Sequence, residues 1–127
     1  MEEYFLEATD KTPEIHLKDG LIVISGRSIP EDPYKIFKPA LQWVMQYVKR
    51  PALHTEVRIQ IEYCDTNSTS NIYNIMTKLV KCRNSNYHIE MVFNWFYEKD
   101  DDEVLELGKF MESQLNVMFN YHEIQDW

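Results

Sequence analysis

Residues 63–76 read YCDTNSTSNIYNIM, and six consecutive side chains in that stretch, Thr66 to Asn71, carry a hydroxyl or an amide. Two chemistries suit such a run. A serine or threonine hydroxyl can accept a backbone N–H at the start of a helix, and losing such a cap costs about 1 kcal/mol. The same hydroxyl can accept a phosphoryl group, which adds about −1.5 to −2 charges and three strong acceptor oxygens. A helix start offers that anion unpaired N–H groups and the positive end of a dipole. The modified form therefore suits the fold, whereas a partner covering the spot must desolvate a dianion. On composition alone, capping is the simpler of the two readings.

Other chemistry-bearing residues do not assemble into known templates. The chain has no GxGxxG and no GxxxxGK[ST] phosphate cradle. Gly26-Arg27-Ser28 does not extend to a GxSxG elbow, because position 30 is proline. His16, His54, His88 and His122 show no metal-binding pairing. A calcium loop starting at Asp65 fails at two positions: Ser70 stands where the turn needs glycine, and Met76 where a bidentate glutamate is needed. The acidic run Asp100–Glu103 reads as the first turn of a helix, where carboxylates interact with the positive dipole end. Cys64 and Cys82 read as small buried hydrophobes rather than nucleophiles. Trp95-Phe96-Tyr97 ends a strand; it serves as core and rim, or as an aromatic anchor for a protein partner. No catalytic residue, metal or cofactor is expected.

Composition narrows the partners. A length of 127 residues suggests one domain spanning the chain, and a hydrophobic content of 44% supports a proper core. A net charge of −8 argues against nucleic acid and anionic membrane surfaces. The acidic N-terminal stretch MEEYFLEATD has neither the basic nor the apolar region of a secretory signal. With two cysteines and no CxxC, the expectation is a cytoplasmic protein with free thiols.

The elements that must position the hydroxyl run are legible from periodicity. Tyr4–Ala8 suggests an irregular first strand, and Glu14–Leu17, Asp19-Gly20 and Leu21–Ser25 form a hairpin pattern. Asp32 caps a helix with Pro33 at its first position; Phe37, Leu41, Val44, Met45 and Val48 recur at helical spacing. Pro39 predicts a break or kink after one turn. Residues 54–65 alternate as a strand, with Val57, Ile59, Ile61 and Tyr63 on one side. Ile72, Ile75, Met76, Leu79 and Val80 mark a helix starting near Ser68–Ser70 and ending near Cys82, with Ser68 or Thr69 as its cap and Thr66 in the preceding loop. Residues 87–98 form a largely apolar, central strand. Val104, Leu107, Phe110, Met111 and Leu115 mark a third helix, and residues 117–123 a last strand. The predicted fold is α/β: a mixed four- to five-stranded sheet with an N-terminal β-hairpin and three main helices.

Four segments, in this order, resemble the SiaC-type bacterial regulatory phosphoproteins, small STAS-like domains related in logic to anti-sigma-factor antagonists. They are TPEI from Thr12; GRSIPEDPYKIFKPALQWV, with Gly26, Ser28, Pro30-Glu31, Tyr34, Phe37 and Trp43-Val44; YCDTNSTSNIYNIM; and NWFYEKDDDEVLELGKFM. The resemblance runs from about Thr12 to His122. It implies that the threonine of an Asn-Thr-Ser-Ser segment is phosphorylated, which falls on Thr66, with Ser68 as second choice. Here Asp65 replaces the Asn and Asn67 the first Ser, so a permanent negative charge precedes the site. The resemblance further implies a cognate protein kinase, a PP2C-like phosphatase and an effector, for characterised members a diguanylate cyclase. The expected function is thus a non-enzymatic partner switch. The alternatives are a small-ligand-binding module or small enzyme using the strand-end loops near Thr66 or His88, and a constitutive protein-interaction adaptor.

Overall fold

The computed structural model describes residues 1–126. Its strands are β1 (Tyr4–Leu6), β2 (Glu14–Lys18), β3 (Leu21–Ser28), β4 (His54–Cys64), β5 (Glu90–Glu98) and β6 (Asn120–Ile124). Its helices are α1 (Pro33–Tyr47), α2 (Thr66–Ser85) and α3 (Asp102–Leu115). All six strands join one sheet in chain order, so the sheet has one strand more than the upper expectation. The extra one is β1, short enough to read as irregular chain, which pairs antiparallel with β2. The hairpin β2–β3 turns at Gly20, whose φ of +86° suits glycine. From β3 onward the pairing is parallel.

Each parallel pair is bridged by one helix, and right-handed crossovers in a constant direction place all three on one face. α1 packs on α2, and α2 on α3. Alternation in the strands follows from this single covered face. Ile15, Leu17, Ile22, Ile24, Val57, Ile59, Ile61, Met91, Phe93 and Trp95 are buried under the helices. Glu56, Arg58, Gln60, Val92, Asn94 and Phe96 lie on the other, open face at intermediate exposure.

α1 departs from expectation in two ways. It runs unbroken through Pro39. The proline withholds one donor from the Lys35 carbonyl, but Lys35 is solvent-exposed, so water can replace that bond. Its buried stripe is Phe37, Ala40, Trp43, Val44 and Tyr47, which leaves Met45 outside. Trp43 and Tyr47 stack with centroids 5.0 Å apart and each finds a polar partner. Trp43 donates to the Glu2 carbonyl at 2.7 Å. The Tyr47 hydroxyl sits 2.6 Å from Thr55 Oγ1 and accepts from Gly20 N at 3.0 Å and Ala52 N at 3.2 Å.

The register of β3 against β4 shifts between Gly26 and Arg27: Ile61 pairs with Gly26, but Tyr63 with Arg27. Glu62 is the extra residue. Such a bulge reverses the alternation beyond it, so Tyr63 leaves the inner set of Val57, Ile59 and Ile61. Its exposed ring lies 5.6 Å from the Arg27 guanidinium carbon.

Candidate functional site

The hydroxyl run lies at the junction of β4 and α2, but the helix starts earlier than periodicity suggests. Asp65 is the cap, not Ser68 or Thr69. With φ −82° and ψ 175° it is still extended, and its Oδ1 accepts from Ser68 N at 2.8 Å. Aspartate ranks with the strongest N-caps, and the helix therefore begins at its neighbour. Thr66 is the first residue of α2, exposed to solvent rather than part of a loop. Its backbone N–H belongs to the first turn, where no helical carbonyl is available.

Ser68, two residues on, is placed differently. It is 0% exposed. Its hydroxyl accepts from Ser28 Oγ at 2.7 Å and donates to the Ser28 carbonyl at 3.0 Å. That carbonyl also accepts from Asp65 N at 3.0 Å. The first turn of α2 is thus pinned to the end of β3, and Thr66 projects outward from the pinned turn. Ser68 has no accessible hydroxyl to modify in this conformation. Thr69 turns back as well, donating to the Asp65 carbonyl at 2.9 Å. Asn71 Nδ2 donates to Asn67 Oδ1 at 2.7 Å, which closes the outer side of the turn.

Two recesses border this turn. A polar one of about 320 Å³ lies toward α1, lined by Asp32, Pro33, Tyr34, Asn67 and Asn71. A more apolar groove of about 350 Å³ lies toward α3, lined by Thr69, Ser70, Tyr73, Phe110, Met111 and Gln114. Both belong to the α2 end that Thr66 begins. His88 lies elsewhere: it precedes β5, whereas Thr66 follows β4, and β4 and β5 are parallel. The two residues therefore lie at opposite ends of these neighbouring strands and share no strand-end site.

The aromatic triplet divides between the two faces of the sheet. Trp95 is 1% exposed, donates from Nε1 to the Val104 carbonyl at 3.0 Å and stacks on Phe119 at 5.8 Å. It is a core residue and presents nothing to a partner. Phe96 lies on the open face between the Arg58 guanidinium, 4.1 Å from its centroid, and the His122 ring at 4.6 Å. Tyr97 is half-buried against the core. Period-two alternation prevents three successive strand residues from forming one anchor.

Nothing in this geometry activates a nucleophile. Burial, and the Asp65 charge beside it, push the Cys64 thiol up, although its hydrogen bond with Thr69 acts in the other direction. Burial does the same to Cys82. Among the described residues no group of three or more His, Cys, Asp or Glu side chains converges as a metal site. No helix among them is long and apolar enough to cross a membrane.

Comparisons with known proteins match the fold. An uncharacterized protein of Pseudomonas aeruginosa strain UCBPP-PA14 is 22% identical over 111 residues, covering 86% of each chain. Crystalline apo-SiaC from Pseudomonas aeruginosa superposes with a TM-score of 0.80 at 22% identity, covering 97% of this chain and 98% of that one. SiaC in complex with the diguanylate cyclase SiaD, which it activates, superposes with a TM-score of 0.80 at 21% identity, covering 94% and 97%. The pattern of the SiaC family regulatory phosphoproteins matches residues 6–124, and the chain belongs to that family.

Proposed function

We propose that this protein is a non-enzymatic, cytoplasmic regulator acting as a single domain, whose hold on a protein partner is set by phosphorylation of Thr66. One observation carries the reading: Thr66 is the exposed first residue of a helix whose next two hydroxyls, on Ser68 and Thr69, are turned inward and occupied. Of the two candidate hydroxyls, Thr66 is the one a kinase can reach without opening the core. The unpaired N–H groups and dipole of the first turn favour a phosphate there. The carboxylate of Asp65 opposes it but is committed to Ser68 N. A partner lying over Thr66 must desolvate the added dianion. A penalty of about 4 kcal/mol weakens binding roughly a thousandfold.

The writer of the mark is a cognate protein kinase and its eraser a PP2C-like phosphatase. The effector is a diguanylate cyclase held by the unphosphorylated form; this choice rests on the family and on the complex formed by the Pseudomonas aeruginosa relative. The test has two parts. Phosphopeptide mass spectrometry of the protein from its native cells should find phosphate on Thr66; phosphate confined to positions outside 66–70 refutes the site. Thr66→Ala should recover the effector in a pull-down and Thr66→Glu should not. Equal recovery refutes the switch.

A further inference from the structure

Among the described residues, three large hydrophobic side chains are more exposed than any others: Tyr87 at 99%, Met118 at 84% and Leu53 at 72%. Each stands on a different loop, and these loops lead into β5, β6 and β4. The three strands are parallel neighbours, so the loops open on one edge of the sheet, opposite the edge where α1, α2 and α3 begin. Residues beside them, Ala52, Ile89, Val117 and Phe119, pack on the core. Each loop is thus anchored inward and holds one apolar side chain out in water.

Charge is divided between the same two edges. Stretches 48–53, 81–89 and 113–119 carry Lys49, Arg50, Lys81 and Arg83 and no aspartate or glutamate. All four cations are exposed. Arg83 stands between two of the loops, bordering one recess with Tyr87 and another with Met118. Carboxylates nearby are engaged: Glu90 with His54 at 2.6 Å, Asp19 with the Met1 amine at 2.9 Å, and Glu112 with Phe119 N at 2.6 Å and the Tyr121 hydroxyl at 2.9 Å. Glu2 and Glu3 stand beside β1, three strands from β4. The opposite edge holds Asp65 and the acidic run Asp100–Glu103. A net charge of −8, which by itself argues against an anionic membrane, is therefore an average over two unlike ends. Cations near helix C-termini also suit the dipole, but that gives no reason for three bare apolar side chains among them.

We propose that this edge docks on an anionic lipid surface, with Leu53, Tyr87 and Met118 entering the headgroup region and the four cations on its phosphates. Three single side chains on separate loops form no groove, and a rigid protein partner would need a separate pocket for each. A bilayer interface receives them at any spacing. Tyrosine is enriched at that depth, its ring in the apolar layer and its hydroxyl wet. Each Lys or Arg near an anionic surface adds about fivefold in affinity. The acidic edge is repelled by the same surface, which sets the orientation. Thr66 begins α2 and Arg83 lies near its end, roughly 25 Å apart along the helix. Thr66 therefore stays in solvent on the docked molecule, and the inference does not rest on the proposed function.

Flotation of the purified full chain with vesicles of equal parts phosphatidylglycerol and phosphatidylcholine, at low ionic strength, tests the assignment. The protein should float with them and not with vesicles of phosphatidylcholine alone. Lys81→Glu/Arg83→Glu should weaken binding at least about tenfold, and Leu53→Ser/Tyr87→Ser/Met118→Ser by about as much. All these positions are exposed, so melting temperatures should not change. Lys35→Glu/Lys99→Glu reverses exposed charges at the acidic edge and should leave binding as it was. The proposal is overturned by no binding to the anionic vesicles, by equal binding to phosphatidylcholine, or by equal loss in Lys35→Glu/Lys99→Glu. Unchanged binding in the triple serine variant overturns it too, because the apolar contact is then absent. Sedimentation velocity of the lipid-free chain should show a monomer. A dimer that the triple serine variant dissociates gives the edge to a second copy and refutes the lipid assignment.

Discussion

Replacing Ser68 with alanine tests whether the hydroxyl run is pinned to β3 as described. The substitution removes two hydrogen bonds, one accepted from Ser28 Oγ and one donated to the Ser28 carbonyl. The carbonyl keeps its bond from Asp65 N. Ser28 Oγ, on a residue that is also fully buried, is left without an acceptor. A lost bond is worth about 1 kcal/mol and an orphaned buried donor costs about 1–3 kcal/mol, so Ser68→Ala should destabilise by about 2–3 kcal/mol. For a chain of this size that is a fall in melting temperature of roughly 6–12 °C. Ser28→Ala alone leaves Ser68 donating to the carbonyl, so about 1 kcal/mol is expected. The combination is more informative than either single variant. Removing both hydroxyls leaves no orphan, so Ser28→Ala/Ser68→Ala should be no less stable than Ser68→Ala alone. Urea denaturation of the four proteins closes the double-mutant cycle. Additivity within about 0.5 kcal/mol would mean the two serines do not interact, and the reasoning would fail.

Asp65→Ala should cost about 1 kcal/mol in urea denaturation, and Asp65→Asn much less, because asparagine also caps well. Gly108→Ala should destabilise by about 1–3 kcal/mol, seen as a lower denaturation midpoint, although alanine favours helix; the new Cβ meets the rigid indole of Trp95 at 2.6 Å. Tyr47→Phe should cost about 2 kcal/mol in the same assay, since Gly20 N and Ala52 N both lose their acceptor. Alkaline stability should fall in a defined window. The folded protein holds the Cys64 proton above the ordinary 9.0 and the Tyr121 proton above the ordinary 10.0, chiefly by burial. Stability from these groups is complete below pH about 9 and declines as the unfolded chain ionises above it. Denaturation midpoints measured from pH 7 to 11 should follow that order, and Tyr121→Phe should flatten the upper part.

Much of the fold is legible in the sequence because its elements carry strong local signals. Alternation in residues 57–61 and the Asp19-Gly20 turn are local, and both stand in the structure. Expectation and structure part where a tertiary partner decides. Serine and threonine after Asp65 look like loop in isolation; they become helix because Asp65 caps and Ser28 supplies a buried partner 40 residues before Ser68. Tyr63 follows the alternating pattern until a bulge against Gly26 displaces it. Phe110 fits the helical spacing but is exposed, because the buried side of α3 is Val104, Gly108 and Met111, with Gly108 close against the Trp95 indole. For the site, position is readable but accessibility is not: Thr66 and Ser68 are similar hydroxyls two residues apart, and only packing makes one exposed and the other sealed. The groove beside them joins residues of two helices that no local pattern links.

The sheet order has a consequence for how the molecule is made. Because β1 to β6 lie side by side in the order of synthesis, no strand has to wait for a later one to be inserted between itself and its neighbour. Each newly emerged strand with its preceding helix can be laid on an edge that already exists, so assembly can advance with the ribosome from the N-terminal hairpin outward. Each parallel pairing closes one crossover, of about 35 residues from Leu21 to Glu56, 36 from His54 to Glu90 and 26 from Asn94 to Asn120, so these closures rather than the hairpin set the entropic cost of assembly. The hairpin supplies the template for that growth, and damage to it should delay every later step.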